Sequence, residues 1–361
     1  MAEKTTLRFA PRLLRWYRQH GRYDLPWQQP RSLYRCWVSE IMLQQTQVAT
    51  VIPYFQRFMQ AFPDIESLAQ ASQDEVLQHW AGLGYYSRAR NLHKAAIIIA
   101  EEHQGCFPED YDSVLALPGI GPSTAGAILA QVLGQRYAIL DGNVKRVLAR
   151  HRAVAGWPGQ GAVHKKLWQL AEECTPTEQL ADYTQAIMDL GATLCTRSRP
   201  ACESCPLNED CEAYRAGRVA EFPGKKPKKV LPVKQTRLLI IRNPQGEYLM
   251  EKRPPSGIWG GLWSLPELAL EQAVENSVHQ NWQLKVNDYS DLPSFRHTFS
   301  HFHLDITPCV VACEVDKTVI NAKVAEIERF QWHSDLSKLA LAAPVSKVLG
   351  LKNACTGIRS K

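Results

Sequence analysis

The sequence predicts a multi-domain protein, with an all-α N-terminal domain followed by an α+β domain. Two observations carry that prediction. From residue 7 to about residue 218, apolar residues recur at helical spacing, as in Val76, Leu77, Trp80 and Leu83, then Leu92, Ala95, Ala96 and Ile99. Beyond residue 234 the texture changes to short strand-like runs around turn residues.

The breaks in the helical part carry Pro and Gly: Asp24-Leu25-Pro26, Phe62-Pro63, Gly82-Leu83-Gly84 and Leu117-Pro118-Gly119-Ile120-Gly121. Residues 221–234 hold three prolines, one glycine and five lysines and read as a linker. It is either a solvated connector or a strip lying along a phosphate backbone. This division gives domains at 1–220 and 235–361. In the second domain, 237–242 and 247–251 read as strands around the turn Asn243-Pro244-Gln245-Gly246. Residues 302–311 and 327–332 read as further strands, and 268–282 and 344–351 as helices.

A chain of 361 residues is long enough for two cores. Hydrophobic residues at 45% and charged residues at 22% describe an ordinary globular protein. No stretch has the length of apolar sequence that a membrane span requires. The first residues include Glu3, Lys4, Arg8, Arg12 and Arg15, which excludes a secretory signal and makes the cytoplasm the expected location. A net charge of +6 is compatible with nucleic acid but decides little. Of ten cysteines, Cys195, Cys202, Cys205 and Cys211 lie together. Without export a disulfide framework is disfavoured, so this group points to a metal or cluster site.

Six segments could carry chemistry. Glu40 is the only charge between Arg35 and Arg57. It is either a helix glutamate facing water or a carboxyl group that holds its proton through burial and donates it. The string Leu115-Ala116-Leu117-Pro118-Gly119-Ile120-Gly121-Pro122-Ser123-Thr124-Ala125 is similar to a helix-hairpin-helix, in which backbone amides meet a phosphate. Asp141, in Asp141-Gly142-Asn143, either caps the next helix or serves as a second carboxylate beside a cationic sugar. The cysteine spacing Cys-x6-Cys-x2-Cys-x5-Cys has one close pair and wide outer gaps, which favours an iron–sulfur cluster over zinc. Its first gap contains Arg197 and Arg199, so the braced loop is basic. Tyr85-Tyr86 beside Arg88 and Arg90 is either a wedge for a base stack or an aromatic core plug. In Phe295-Arg296-His297-Thr298-Phe299-Ser300-His301-Phe302-His303 the histidines lack an acidic cluster apart from Asp305, and no metal is assigned there.

Together these segments resemble the MutY family of adenine DNA glycosylases, within the helix-hairpin-helix superfamily that includes endonuclease III. The match is densest to about residue 218, above all over 37–54, 82–95 and 140–150. The resemblance implies a helical glycosylase core with an iron–sulfur cluster loop at 195–211. It implies that Glu40 protonates adenine, that Asp141 stabilises the sugar cation and that Asn143 organises the carboxylates. It further implies that Gln45 and Tyr85 enter the duplex and that Leu25, Trp27 and Gln185 line the adenine pocket. Gly119, Gly121 and Ser123 fall in the DNA-binding hairpin. Cys195, Cys202, Cys205 and Cys211 match the ligands of a [4Fe-4S] cluster.

Ser123 stands where endonuclease III has its lysine nucleophile. Serine forms no Schiff base, so the expectation is a monofunctional glycosylase using water. The C-terminal domain resembles the Nudix fold of MutT. Gly261-Leu262-Trp263-Ser264-Leu265-Pro266-Glu267 keeps the start of a Nudix box, whereas Glu275, Asn276 and Ser277 replace its later carboxylates. Base recognition is therefore expected in place of pyrophosphate cleavage, with Phe299, Ser300 and His301 in the 8-oxoguanine-reading loop. The expected partner is duplex DNA with an adenine mispair, bound by a monomer. An endonuclease III-like glycosylase/lyase acting on oxidised pyrimidines is the alternative.

Overall fold

The structure, a computed structural model, describes residues 2–227, 230–314 and 329–350. Lys228 and Lys229 of the linker, the first two residues of the expected strand 327–332, Leu351 and Cys355 lie outside the described residues. The chain divides into two compact units: Met1–Gln70 with Asn91–Lys228, and Ala71–Arg90 with Lys229–Lys361.

Helices follow one another as α1 (Ala2–His20), α2 (Leu33–Leu43), α3 (Val48–Ala61), α4 (Ile65–Gln70), α5 (Gln73–Trp80) and α6 (Ser87–Glu102). They continue as α7 (Tyr111–Ala116), α8 (Pro122–Leu133), α9 (Gly142–His151), α10 (Gly161–Cys174), α11 (Leu180–Thr193) and α12 (Glu212–Arg215). Every break expected from Pro and Gly falls between helices. None of the described helices is long and apolar enough to cross a membrane.

The first unit packs α1, α9, α10 and α11 around Phe9, Leu13, Tyr17, Val147, Leu148, Leu167, Ile187 and Leu190. Val144, Val147 and Leu148 occupy one face of α9 at i, i+3 and i+4 spacing. Helix α2 is buried on most sides through Tyr34, Cys36, Trp37, Val38, Ile41 and Met42, and its lone carboxylate is left half-buried. The segment after α12 also belongs here. Phe222 is buried, its carbonyl accepts from Arg150 Nε at 2.9 Å, and Lys226 Nζ lies 5.6 Å from the Trp157 ring.

The second unit holds a mixed sheet: β1 (Val233–Arg242), β2 (Tyr248–Lys252), β3 (Trp263–Ser264), β4 (Glu267–Leu268), β5 (Lys285–Asp291), β6 (Phe295–Thr298), β7 (His303–Glu314) and β8 (Phe330–His333). Its main order is β3-β2-β1-β7-β5, with β4 on β1, β6 on β7 and β8 on β2. The axis of the sheet is the parallel pair β1–β7, in register from Val233 with His303 to Arg242 with Ala312. Helix α13 (Val274–Trp282) covers it through Val274, Val278 and Trp282, against Leu239, Ile241, Leu249, Cys309 and Val311. Helix α14 (Ala343–Val348) closes the described part.

Two expectations are corrected here. The helix expected from residue 268 begins at Val274, because Leu268 pairs with Arg237 in the sheet and the Gln272 side chain accepts from the Ala269 amide at 3.0 Å. Strand β5 was not expected: its residues are almost all exposed, so the sequence carries no apolar alternation.

Residues 71–90 pack within this unit. Lys252 pairs with Asp74, Arg90 donates to the Gly260 carbonyl at 2.6 Å, and the Tyr86 hydroxyl reaches the Leu341 carbonyl at 3.4 Å.

Candidate active site

In the first unit a cavity of about 380 Å³ gathers residues from four distant stretches of sequence. Glu40 and Gln45 come from α2 and the turn after it, Ser123 from the start of α8, Asp141 and Asn143 from the start of α9, and Gln185 from α11. Leu25 and Trp27 complete the wall. Both are buried, and Trp27 is braced edge-on against Phe55. Eight of the residues singled out in the sequence thus share one chamber.

The two carboxylates are held differently. Glu40 is half-buried at the cavity wall, and burial lifts its pKa to about 7. A hydrogen bond from Gln131 Nε2 at 3.0 Å opposes that rise, and the charge of Asp141 adds to it. Asp141 is the N-cap of α9, its Oδ1 accepting from the Val144 amide at 2.7 Å. Its other oxygen accepts from Asn143 Nδ2 at 3.2 Å. Burial raises its pKa too, but the Val144 and Asn143 hydrogen bonds and the Arg146 charge favour the ionised form. Asp141 thus caps a helix, as one reading of the sequence expected, and the same residue lines Glu40's cavity.

The surrounding scaffold is polar and fully engaged. Arg146 donates to Asn143 Oδ1 at 2.8 Å, to the Cys195 carbonyl at 2.7 Å and to the Gly191 carbonyl at 2.6 Å. Ser123 Oγ accepts from the Leu140 amide at 2.9 Å, tying the start of α8 to the residue before Asp141. Gln45 is exposed at the rim with a left-handed backbone (φ 58°), a conformation that costs a non-glycine residue roughly 1 kcal/mol.

The hairpin between α7 and α8 turns at Gly119, with φ 83°. A Cβ there would sit 2.9 Å from the Asn91 Cβ. Gly119→Ala is expected to destabilise the protein by about 1–3 kcal/mol, measurable by chemical denaturation. Gly121 needs no left-handed backbone. It is the N-cap of α8 at φ −105°, and a Cβ on it would meet nothing.

Cys195, Cys202, Cys205 and Cys211 surround a second cavity in this unit, together with Arg150 and Pro200. Arg150 donates to Cys195 Sγ at 3.3 Å and to the carbonyls of Thr196 and Arg197, at 2.7 and 3.1 Å. Among the described residues no three His, Cys, Asp or Glu side chains form the ligand set of a single metal ion. Four sulfurs spread around a cavity, with a cation beside one of them, fit a multi-iron cluster held by four thiolates.

In the second unit a cavity of about 610 Å³ brings Tyr85, Tyr86, Ser87 and Arg90 together with Lys234, Trp259 and residues 297–302. Phe299 stacks on Phe302 at 4.6 Å, which leaves Ser300 and His301 exposed at the tip between β6 and β7. Tyr85 is half-exposed and left-handed (φ 48°), with Arg88 against its ring at 5.5 Å. Asp305 is paired with Arg296 at 2.6 Å. Glu267, at the end of the Nudix-like stretch, pairs with Arg253 at 2.7 Å, and buried Glu251 meets both Arg253 and Arg329.

Known families match both parts of the chain. Residues 38–173 match the HhH-GPD superfamily of base excision DNA repair proteins, 195–211 the iron–sulfur binding domain of endonuclease III, and 237–351 the NUDIX domain. The adenine DNA glycosylase of Buchnera aphidicola from Schizaphis graminum is 39% identical over 346 residues, covering 94% of this chain and 97% of that protein. The chain belongs to the adenine DNA glycosylase family. The mouse family member is 36% identical over 355 residues, covering 82% of this chain and 69% of its own. A thermostable thymine-DNA glycosylase of known structure aligns with TM-score 0.54 and 27% identity, covering 60% of this chain and 99% of that one. The fold is thus a helix-hairpin-helix glycosylase core with an iron–sulfur domain, followed by a Nudix-like domain.

Several residues around the two cavities of the first unit escaped the sequence reading: Gln131, Arg22, Asp189 and Arg146 at the Glu40 chamber and Arg150 at the cysteines. Two of them carry the signal that exposed Glu40. Gln131 is the lone polar side chain between Ala125 and Leu133, and Asp189 the lone charge between Ala186 and Leu190. The arginines have no such signal, because an arginine is usually a solvated residue.

Proposed function

We propose that the protein excises adenine mispaired with 8-oxoguanine or guanine in duplex DNA and leaves an abasic site without cutting the strand. The observation that carries this reading is the single chamber holding Glu40, Asp141 and Asn143 beside Leu25, Trp27 and Gln185. A volume of about 380 Å³ accommodates a flipped base, and chemistry on a base requires it to leave the stack.

With its pKa near 7, Glu40 is protonated often enough to act as an acid at neutral pH. It donates to a ring nitrogen of adenine as the bond from the base to the sugar C1′ breaks, and the electron pair leaves with the base. Asp141, oriented by Asn143 and Val144, supplies negative charge beside the developing sugar cation. Water adds its oxygen to C1′, and its proton passes to a carboxylate of the pair. Cys195, Cys202, Cys205 and Cys211 would hold the [4Fe-4S] cluster, which fixes the basic loop bearing exposed Arg197 and Arg199 for phosphate contact. In the second unit Phe299, Ser300 and His301 read 8-oxoguanine, while Gln45 of the first unit and Tyr85 of the second enter the duplex. The pairing of Glu251 and Glu267 with arginines supports base reading over metal-dependent hydrolysis. The protein works as a monomer in the cytoplasm, on the nucleoid.

The test is a labelled duplex with one adenine opposite 8-oxoguanine. Strand breaks at that adenine only after alkali support the reading. Intact adenine, or equal cleavage without alkali, removes it. Ser123 gives a further expectation. Its side chain lines the chamber, so Ser123→Lys places an amine within reach of the sugar. That variant is expected to cut the strand without alkali and to be trapped on DNA by borohydride; a variant trapped no more than wild type contradicts the assigned geometry.

A further inference from the structure

Behind Gln185 lies a carboxylate that does not itself line the chamber. Asp189 is fully buried one helical turn further along α11 and is absent from the cavity lining. Arg22 binds it through its backbone amide at 2.8 Å (to Oδ2), its Nε at 2.9 Å and one terminal nitrogen at 2.6 Å (both to Oδ1). The fourth donor is Gln185 Nε2, at 2.8 Å from Oδ1. Gln185 is itself buried, and it lines the chamber together with Arg22.

A carboxylate paired with arginine only accepts hydrogen bonds. Gln185 can satisfy it in one orientation alone, with its NH₂ turned to Asp189 and its carbonyl oxygen left for the chamber. A glutamine without such a neighbour presents either end. We propose that Asp189 is a positioning residue for base selection: by fixing the amide of Gln185 it makes the chamber accept from an exocyclic amine and reject an exocyclic carbonyl at the same place. The inference rests on the proposed excision of adenine and adds the group that sets its discrimination. Adenine carries an amine on C6, whereas hypoxanthine and guanine carry an oxygen there. An oxygen facing the Gln185 carbonyl leaves two acceptors opposed in a desolvated site, the arrangement that discriminates most strongly.

The experiment uses the full-length protein and duplexes bearing adenine or hypoxanthine at one position, opposite the same base. Single-turnover release rates are measured for wild type, Asp189→Ala, Asp189→Leu, Gln185→Leu and the Asp189→Ala/Gln185→Leu double variant. Wild type is expected to favour adenine. Asp189→Ala frees the amide, and the adenine-to-hypoxanthine ratio falls roughly ten- to hundredfold. In the Gln185→Leu background the same substitution leaves the ratio unchanged, because Asp189 acts only through Gln185. Asp189→Leu nearly keeps the volume, offers no acceptor and shifts the ratio in the same direction, which preserves the test where the alanine variant fails to fold. A purely structural Asp189 slows both substrates equally, and an unchanged ratio in both Asp189 variants overturns the proposal. An unchanged ratio in Gln185→Leu overturns it as well. Wild type that leaves adenine in place removes the underlying reading instead, so the two failures are distinct.

Discussion

Glu40→Gln is expected to slow adenine release by roughly 10²- to 10⁴-fold while DNA affinity stays near that of wild type. Glutamine keeps the shape and the contact with Gln131 but holds no transferable proton. The wild-type rate is expected to fall as pH rises through about 7, where Glu40 loses its proton. The residual rate of Glu40→Gln lacks that titration. Stability supplies an independent check. Burial raises Glu40 above its unfolded value of 4.5, so the folded chain binds the more protons between about pH 4.5 and 7. Stability from this group is fully present below 4.5 and is lost as pH rises through 7. Glu40→Gln is therefore expected to melt above wild type at pH 8, with the advantage shrinking at pH 4.5. A variant that releases adenine at the wild-type rate would exclude Glu40 as the acid.

Asp141→Asn is the second large effect, and it separates two roles carried by one side chain. Asparagine caps helices about as well as aspartate, so the bond from the Val144 amide survives and the melting temperature is expected to change little. The negative charge beside the sugar disappears, and base release is expected to fall by roughly 10²- to 10³-fold. Asp141→Ala loses both functions: the same kinetic defect is joined by about 1 kcal/mol of lost stability. An Asp141→Asn protein with wild-type single-turnover kinetics would leave Asp141 as a cap alone.

The helices, their breaks and both kinds of fold unit were legible in the sequence, because they rest on local periodicity and on the backbone preferences of Gly and Pro. The iron–sulfur loop was legible for a similar reason, since four cysteines within seventeen positions need little tertiary context. Glu40 was visible as a lone charge in an apolar helix, and Asp141 as a residue with two possible roles. Edge strand β5 was not legible, because solvent on nearly every side chain erases the alternation that marks a strand. The start of α13 was misplaced for another reason: the pairing of Leu268 with Arg237 is a long-range contact that overrides local helical spacing.

What the sequence by itself determined is the set of chemical parts and the short-range order of the elements that carry them. Only the tertiary structure decided that Glu40, Asp141 and Gln185, up to 145 positions apart, line one chamber. It also decided that Arg22 reaches across the chain to Asp189, and that Arg146 joins Asn143 to the cysteine loop. The physical reason is range. Helical periodicity, caps and turns are settled among neighbours within a few residues. A buried ion pair or a half-buried carboxylate depends on which distant helices remove it from water, and that follows from packing the whole core.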